Sequence, residues 1–210
     1  QIETFSRPLF TYNSKNIKVE EVPTKSSMVS SMTKVFGPTS TGGYKLSKIR
    51  KQTINGVMYT NGEIPNNKLS NLQNTQKYKG SIISDGGQIR LLDFIMVKLE
   101  KMLKAYETDN PGEQLYINSA YRLYTDQVRV RKQWEAEGKP NNAAYPGRSN
   151  HGFGRAIDFA NKKLRALTPS MKEYKWLKKN AGKYGFTRIW SKSGKPESWE
   201  AWHWEHLGDK

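Results

Sequence analysis

The apolar pattern of this 210-residue chain changes at residues 84–88, and that change limits where a folded core can form. Residues 1–83 are rich in Ser, Thr, Asn, Lys and Gly and show no sustained periodicity, which is typical of loops and short hairpins. Apolar residues then recur three or four apart over residues 89–106, and a helix-capping pattern precedes them, so we predict an amphipathic helix there. We therefore predict an N-terminal arm or small β-rich appendage, residues 1–83, and a folded domain, residues 84–210.

The rest of the second part alternates between strand-like and helix-like patterns. Helices are predicted over residues 125–138 and after the Thr-Pro pair at residues 168–169. Strands are predicted over residues 115–119, 155–160, 186–190 and 201–207, and short alternation at 54–59 predicts a hairpin in the arm. This order of short strands and helices indicates an α+β fold.

Composition excludes several kinds of function. The chain has no Cys, so any metal must be held by His, Asp, Glu or water. A net charge of +16 predicts attraction to polyanions, either nucleic acid or anionic cell-wall polymers. No finger, RNP-like strand or long basic helix is evident, so we expect no specific nucleic-acid binding. The longest apolar stretch, residues 91–99, contains charges and falls short of the roughly 18 residues of a membrane span, so we expect a soluble protein.

All three histidines lie in two short segments, residues 149–158 and 197–206. His151 is followed by two glycines, which allow a sharp turn, and then by a strand that carries Asp158. His203 lies in a strand-like alternation that turns its ring to one face. Two imidazoles and one carboxylate are the ligand set of an open catalytic zinc site, so we predict that His151, Asp158 and His203 bind Zn²⁺.

A catalytic zinc site also needs a base that takes a proton from water. Glu200 precedes His203 by three residues, a spacing that would place it on the wrong face of a regular strand. We therefore expect Glu200 to lie in the turn that enters the strand, close to the metal. The alternative is that Glu200 is a surface carboxylate.

These residues resemble the signature SxHxxGxAxD followed by ExWH of the zinc D-Ala-D-Ala carboxypeptidases and L-Ala-D-Glu peptidases of the VanX/VanY group, which act on peptidoglycan. The resemblance covers residues 84–208 and extends to a Ser-x-Tyr-Arg turn at residues 119–122. It implies a small antiparallel sheet with flanking helices, a fold also found in Hedgehog domains. It also implies that His151, Asp158 and His203 bind zinc and that Glu200 is the catalytic base.

By the same resemblance, Arg122 is the electrophilic partner, which stabilises an oxyanion or grips a substrate carboxylate. Ser149 resembles the family's contact to the substrate carboxylate; the alternative is a hydroxyl that caps a turn. His206 could in principle offer a different ligand. Since strand positions three apart face opposite ways, we expect His206 to be a structural or supporting residue.

We therefore expect a zinc metallopeptidase that hydrolyses an amide bond in peptidoglycan stem peptides at the cell wall, as a carboxypeptidase or an endopeptidase. The loops at residues 138–148 and 191–199 should decide where the cut falls. Because the sequence opens without an export signal, a lytic or virion-borne bacteriophage enzyme is one expectation, and the arm is then a candidate for docking to a larger assembly. The alternative is a binding module of the same fold that keeps zinc for structure.

Overall fold

The computed structural model describes residues 49–72, 88–189 and 199–208. Eight short strands and three α-helices are distributed over these residues. The strands are β1 Lys51–Ile54, β2 Val57–Thr60, β3 Leu69–Asn71, β4 Arg90–Leu92, β5 Tyr116–Ser119, β6 Ala156–Ala160, β7 Phe186–Thr187 and β8 His203–His206. The helices are α1 Asp93–Asp109, α2 Tyr124–Ala136 and α3 Lys172–Asn180.

The largest sheet has four antiparallel strands in the order β5-β6-β8-β7. Strand β6 is buried along its whole length, and so is β8, and four of the five residues of β6 are apolar. Ile157 of β6 faces Trp204 of β8 in the strand register, and both belong to the hydrophobic core. The opposite face of the two strands is therefore available for polar side chains. The predicted α+β fold with a small antiparallel sheet and flanking helices is confirmed.

The buried face of α1 supplies much of the core. Its inward residues recur at helical spacing, and each is at most 2% exposed: Ile95, Met96, Leu99, Met102, Leu103 and Tyr106. Burial of such side chains contributes about 1.5–3 kcal/mol each relative to exposure, so this helix stabilises the sheet that carries the polar face. Residues from all three described segments join the same cluster.

The predicted start of the first helix is wrong. Residues 90–92 form a strand that pairs with β3, with Leu69 opposite Leu92, and the helix begins only at Asp93. The periodicity of a short apolar run next to a helix is compatible with both helix and strand. Here residues 90–92 form a strand because they pair with β3. The helix expected to begin at Thr168-Pro169 likewise begins at Lys172.

Residues 49–72 pack on the same core as the later residues. Strands β1 and β2 form a hairpin around Asn55 and Gly56, whose φ angles of 49° and 78° suit the two-residue turn that this dipeptide favours. Ile64 and Leu69 are buried in the core cluster. The predicted boundary between residues 83 and 84 lies outside the described residues and stays a prediction, as does the structure of residues 1–48. No helix in the described part of the chain is long and apolar enough to cross a membrane.

Candidate metal centre

Three side chains predicted to bind metal converge on the polar face of the main sheet. Asp158 Oδ1 lies 2.9 Å from His203 Nδ1 and 3.3 Å from His151 Nε2. One ligand atom from each residue lies within 4.8 Å of the other two. All three side chains are buried, at 5–6% exposure. The arrangement therefore gathers two imidazole nitrogens and one carboxylate oxygen around one point.

The convergence follows from strand register and one tight turn. Asp158 lies opposite His203 in the β6–β8 pair, so both side chains point to the same face. His151 lies in a 3₁₀ turn, Asn150–Phe153, that ends at Gly154 with a left-handed φ of 64°. Gly152 allows close approach to the hairpin, because a Cβ there would lie 2.2 Å from Asn61 Oδ1. The two glycines thus hold the His151 turn against its neighbours.

Hydrogen bonds fix which nitrogen of each ring faces the centre. His151 Nδ1 lies 2.7 Å from the Ala120 carbonyl oxygen, which can only accept, so Nδ1 carries the proton and Nε2 is left for a metal. His203 Nε2 lies 2.8 Å from Glu205 Oε1, which leaves Nδ1 facing Asp158. Such outer contacts are those of ligating histidines, and the donor set fits Zn²⁺.

Burial and mutual contacts perturb the pKa values of this cluster. Burial lowers the pKa of His151, while the charge of Asp158 opposes this and that of Arg122 adds to it. Burial alone would also lower the pKa of His203, but hydrogen bonds to Asp158 and Glu205 outweigh it and raise that pKa to about 10. Burial disfavours ionisation of Asp158, yet contacts with both histidines hold its pKa well below the usual range. Without metal, the cluster is therefore an aspartate paired with a protonated His203 and a neutral His151.

Glu200 lies in the turn that leads into β8. Its φ of 43° is in the left-handed region, which is uncommon for a residue other than glycine. Its carbonyl oxygen accepts a hydrogen bond from the His203 backbone N–H at 2.9 Å, so the turn is tied to a candidate ligand. The position of Glu200 in this turn agrees with the expectation from its spacing to His203. Its role as the catalytic base stays a prediction.

Arg122 follows β5 and lies beside the His151 turn. Its backbone N–H donates to the His151 carbonyl at 3.2 Å. The guanidinium donates to Gln127 Oε1 at 2.8 Å and to Ser119 Oγ at 3.0 Å. The group is partly buried and held on two sides, and its charge is close enough to contribute to the lowered pKa of His151.

Ser149 is 5% exposed and stands at the N-cap of the His151 turn. Its side chain makes no capping hydrogen bond, although its carbonyl accepts from Asn61 Nδ2 at 2.7 Å. The turn-capping alternative therefore receives no support, and substrate contact stays a prediction.

His206 lies on the other face of β8 from His203, as expected from positions three apart. Its ring packs edge-on against Phe94 and Phe186, with centroid distances of 5.8 and 5.4 Å. A Cβ at Gly185 would lie 2.3 Å from its Nε2. This packing makes His206 a structural residue, 1% exposed, and it is not part of the convergent cluster.

Sequence reasoning missed two residues that contact the predicted site. Glu205 accepts from His203, and Gln127 bonds to Arg122 while donating to the Ala144 carbonyl at 2.7 Å. Strand periodicity contained a signal for Glu205, because it lies two residues after His203 and so shares its face. Gln127 carries no comparable signal, since its partners lie in a different turn and loop.

The fold and the site together define an α+β protein whose antiparallel sheet carries a buried His/Asp/His cluster with the donor set of a mononuclear zinc site. The model of the VanY family, described as D-alanyl-D-alanine carboxypeptidase, matches residues 88–209, more than half of the chain. The chain belongs to this family, which confirms the assignment made from the signature residues.

Parts of this chain are similar to individual proteins and solved structures. A Bacillus subtilis protein described as "Putative carboxypeptidase YodJ" is 32% identical over 110 residues, covering 47% of this chain and 40% of the relative's length. The structure of the LdcB LD-carboxypeptidase shares the fold, with a TM-score of 0.53 and 23% identity over 71% of this chain and 72% of that one. VanYB in complex with D-alanine-D-alanine gives a TM-score of 0.47 at 23% identity, over 60% of this chain and 76% of that one.

Proposed function

We propose that this protein is a zinc-dependent peptidase that hydrolyses an amide bond in the stem peptides of bacterial peptidoglycan. The observation that carries the proposal is the convergence of His151, Asp158 and His203 in a buried cluster with both rings oriented by their outer hydrogen bonds. Membership of a D-alanyl-D-alanine carboxypeptidase family supports the substrate class. So does the relative described as a carboxypeptidase.

His151, Asp158 and His203 are the residues that would hold zinc. Zinc in such a site acidifies a water molecule and polarises a carbonyl. Glu200 then takes the proton of the attacking water and passes it to the leaving amine. The unusual backbone conformation of Glu200 supports this role, because strained residues persist where the surroundings hold them in place, often at functional sites.

Arg122 would act on the substrate carbonyl or on a terminal carboxylate. Its guanidinium is held by Ser119 and Gln127 before substrate arrives, so little ordering is needed when negative charge develops on the carbonyl oxygen. Ser149 is a second candidate contact, because its side chain makes no hydrogen bond to the turn that it begins.

The surface charge favours action at the cell wall. A net charge of +16 attracts the protein to anionic wall polymers over about a Debye length, roughly 8–10 Å. We infer from this charge and from the family that the protein acts outside the cytoplasmic membrane. We further propose a lytic or virion-associated bacteriophage enzyme that docks to a larger assembly through its N-terminal residues 1–83.

The test is release of peptide fragments from purified peptidoglycan. Wild-type protein with zinc should release fragments, and Glu200→Ala should release at least about 100-fold less, the scale of general acid–base catalysis. Glu137→Ala is the matched control and should behave as wild type, because it removes an exposed carboxylate directly after α2. No release by wild-type protein that holds zinc would instead favour a non-catalytic zinc module, and equal release by wild type and Glu200→Ala would contradict the role of Glu200 as the base.

Mass spectrometry of the products separates the two candidate activities. Loss of a single terminal residue identifies a carboxypeptidase, and an internal cut identifies an endopeptidase. The loop before the His151 turn bears on this choice and is anchored to α2, because Arg131 donates to the carbonyls of Pro140 and Ala143 at 2.6 and 2.8 Å. The second predicted specificity loop, residues 191–199, lies almost wholly outside the described residues.

A further inference from the structure

A chain of hydrogen bonds runs from the surface of the molecule to His203. Arg50 Nη1 donates to Asn150 Oδ1 at 2.6 Å. Asn150 Nδ2 donates to Glu205 Oε1 at 2.6 Å, and His203 Nε2 meets the same oxygen at 2.8 Å. Arg50 is exposed, Asn150 half-buried and Glu205 8% exposed, so the hydrogen bonds lead from the surface inward.

The donor and the acceptor of each of these hydrogen bonds follow from the chemistry of the groups. An ionised carboxylate has only acceptor oxygens, so Glu205 receives hydrogens from both Asn150 and His203. The guanidinium of Arg50 has only donors, so the side-chain oxygen of Asn150 faces it and the amide nitrogen must face Glu205. The Arg50 guanidinium thus fixes the orientation of the Asn150 amide, and the Asn150 amide nitrogen then binds the Glu205 carboxylate.

Glu205 also shares the face of β8 with His203, because the two are separated by one residue. In the strand register it lies opposite Ala156. The carboxylate therefore approaches the His203 ring from the side away from Asp158 and holds the hydrogen on Nε2.

We propose that Glu205, held by Asn150 and Arg50, is a positioning residue that sets the tautomer and ring orientation of His203 for metal binding. The inference rests on the proposed role of His203 as a zinc ligand. It gives residues just before the β1–β2 hairpin a part in the metal centre, although the sequence pattern assigned them to a separate arm. Loss of such an outer partner typically weakens metal binding by about 10–100-fold.

Zinc affinity, measured by competition with a chromophoric chelator, tests the proposal. Glu205→Ala should bind zinc about 10–100-fold more weakly than wild type. Glu205→Gln keeps an accepting oxygen and should recover part of that loss. Glu173→Ala, which removes a buried carboxylate of α3 beside Tyr106, is the matched control and should keep wild-type affinity. Wild-type affinity in Glu205→Ala, or a Gln variant as weak as the Ala variant, would overturn the proposal.

A double-mutant cycle separates positioning through Glu205 from general loss of packing. Asn150→Ala should weaken zinc binding severalfold in the wild-type background and leave it unchanged in the Glu205→Ala background, since Asn150 acts through Glu205. Equal effects of Asn150→Ala in both backgrounds would contradict the claim that Asn150 acts through Glu205. Arg50→Gln offers the same comparison at an exposed site, where the fold is least at risk.

The outcomes also distinguish this inference from the proposed function. If wild-type protein binds zinc and releases peptides while the Glu205 and Asn150 variants keep full affinity, only the positioning role fails. If wild-type protein binds no zinc, the proposed metal centre fails and this inference fails with it. Circular dichroism of each zinc-free variant shows whether the fold survives the substitution.

Discussion

Asp158 and His203 lie directly opposite each other on adjacent antiparallel strands, and Asp158 Oδ1 is 2.9 Å from His203 Nδ1. This pairing places a carboxylate and an imidazole at one point through backbone register alone. The third member, His151, is delivered by a turn that depends on close contact with the hairpin. Predictions about the site therefore concern both the charges of the cluster and the packing behind it.

Zinc binding should release about one proton per ion at pH 7–8. Contacts with Asp158 and Glu205 raise the pKa of His203 to about 10, so its Nδ1 is protonated in the zinc-free protein and must lose that proton to bind metal. The pKa of His151 is lowered, so this ring contributes none. Apparent affinity should accordingly rise about tenfold per pH unit up to pH 9.

Calorimetry in buffers with different ionisation enthalpies measures this number directly. Release of no proton would contradict the protonated state assigned to His203. The raised pKa of His203 also predicts how the stability of the zinc-free protein changes with pH. The stability that His203 contributes is fully present below about pH 6.5, its ordinary pKa, and is lost as pH rises through about 10.

Gly152→Ala should destabilise the protein by about 1–3 kcal/mol, the usual cost of overpacking. The new methyl carbon would lie 2.2 Å from Asn61 Oδ1, and Asn61 is buried and bonded to the Ser149 carbonyl. Relief requires movement of the His151 turn, so zinc affinity should fall as well. Gly182→Ala is the control, because no atom lies within 4 Å of its added carbon and its φ is not positive. Urea unfolding with equal losses for the two variants would argue against this contact.

Glu200→Gly should abolish peptide release and leave the free energy of unfolding equal to wild type or higher by up to about 1 kcal/mol. Glycine relieves the left-handed φ of 43°, which costs other residues about 1–2 kcal/mol, and part of that gain is offset by chain entropy. Leu164→Gly, at a φ of 55°, is the matched control and should keep its activity. A Glu200→Gly protein that is active, or much less stable, would contradict a strained catalytic turn.

Gln127→Ala should lower kcat for peptide release while zinc affinity stays near the wild-type value. Gln127 holds Arg122 at 2.8 Å and reaches the loop that precedes the His151 turn, but it contacts none of the three candidate ligands. Gln133→Ala on the same helix, whose side chain bonds to Glu137 at the surface, provides the control. Parallel losses of kcat and zinc affinity would mean that Gln127 supports the fold rather than Arg122.

The strand patterns in the sequence indicate most of the candidate site residues but few of the residues around them. Alternation around residues 155–160 and 201–207 predicts the strands found as β6 and β8, whereas the hypothesis of one bound cation brings Asp158 and His203 together. Local pattern could not reveal that residues 90–92 pair with β3, because that pairing depends on residues about twenty positions earlier. For the same reason local pattern places Arg50 and Asn61 in an arm or small appendage and gives no sign that they bond to Asn150 and Ser149.

The most direct measurement is the zinc content of the purified protein, determined by elemental analysis beside Asp158→Ala. Asp158 contacts both histidines, so its removal should abolish stoichiometric binding even where the fold persists. We predict one zinc ion per wild-type chain after equilibration with the metal and none in the variant. A wild-type chain without zinc, or a variant that binds it equally well, would contradict a metal centre at these three residues.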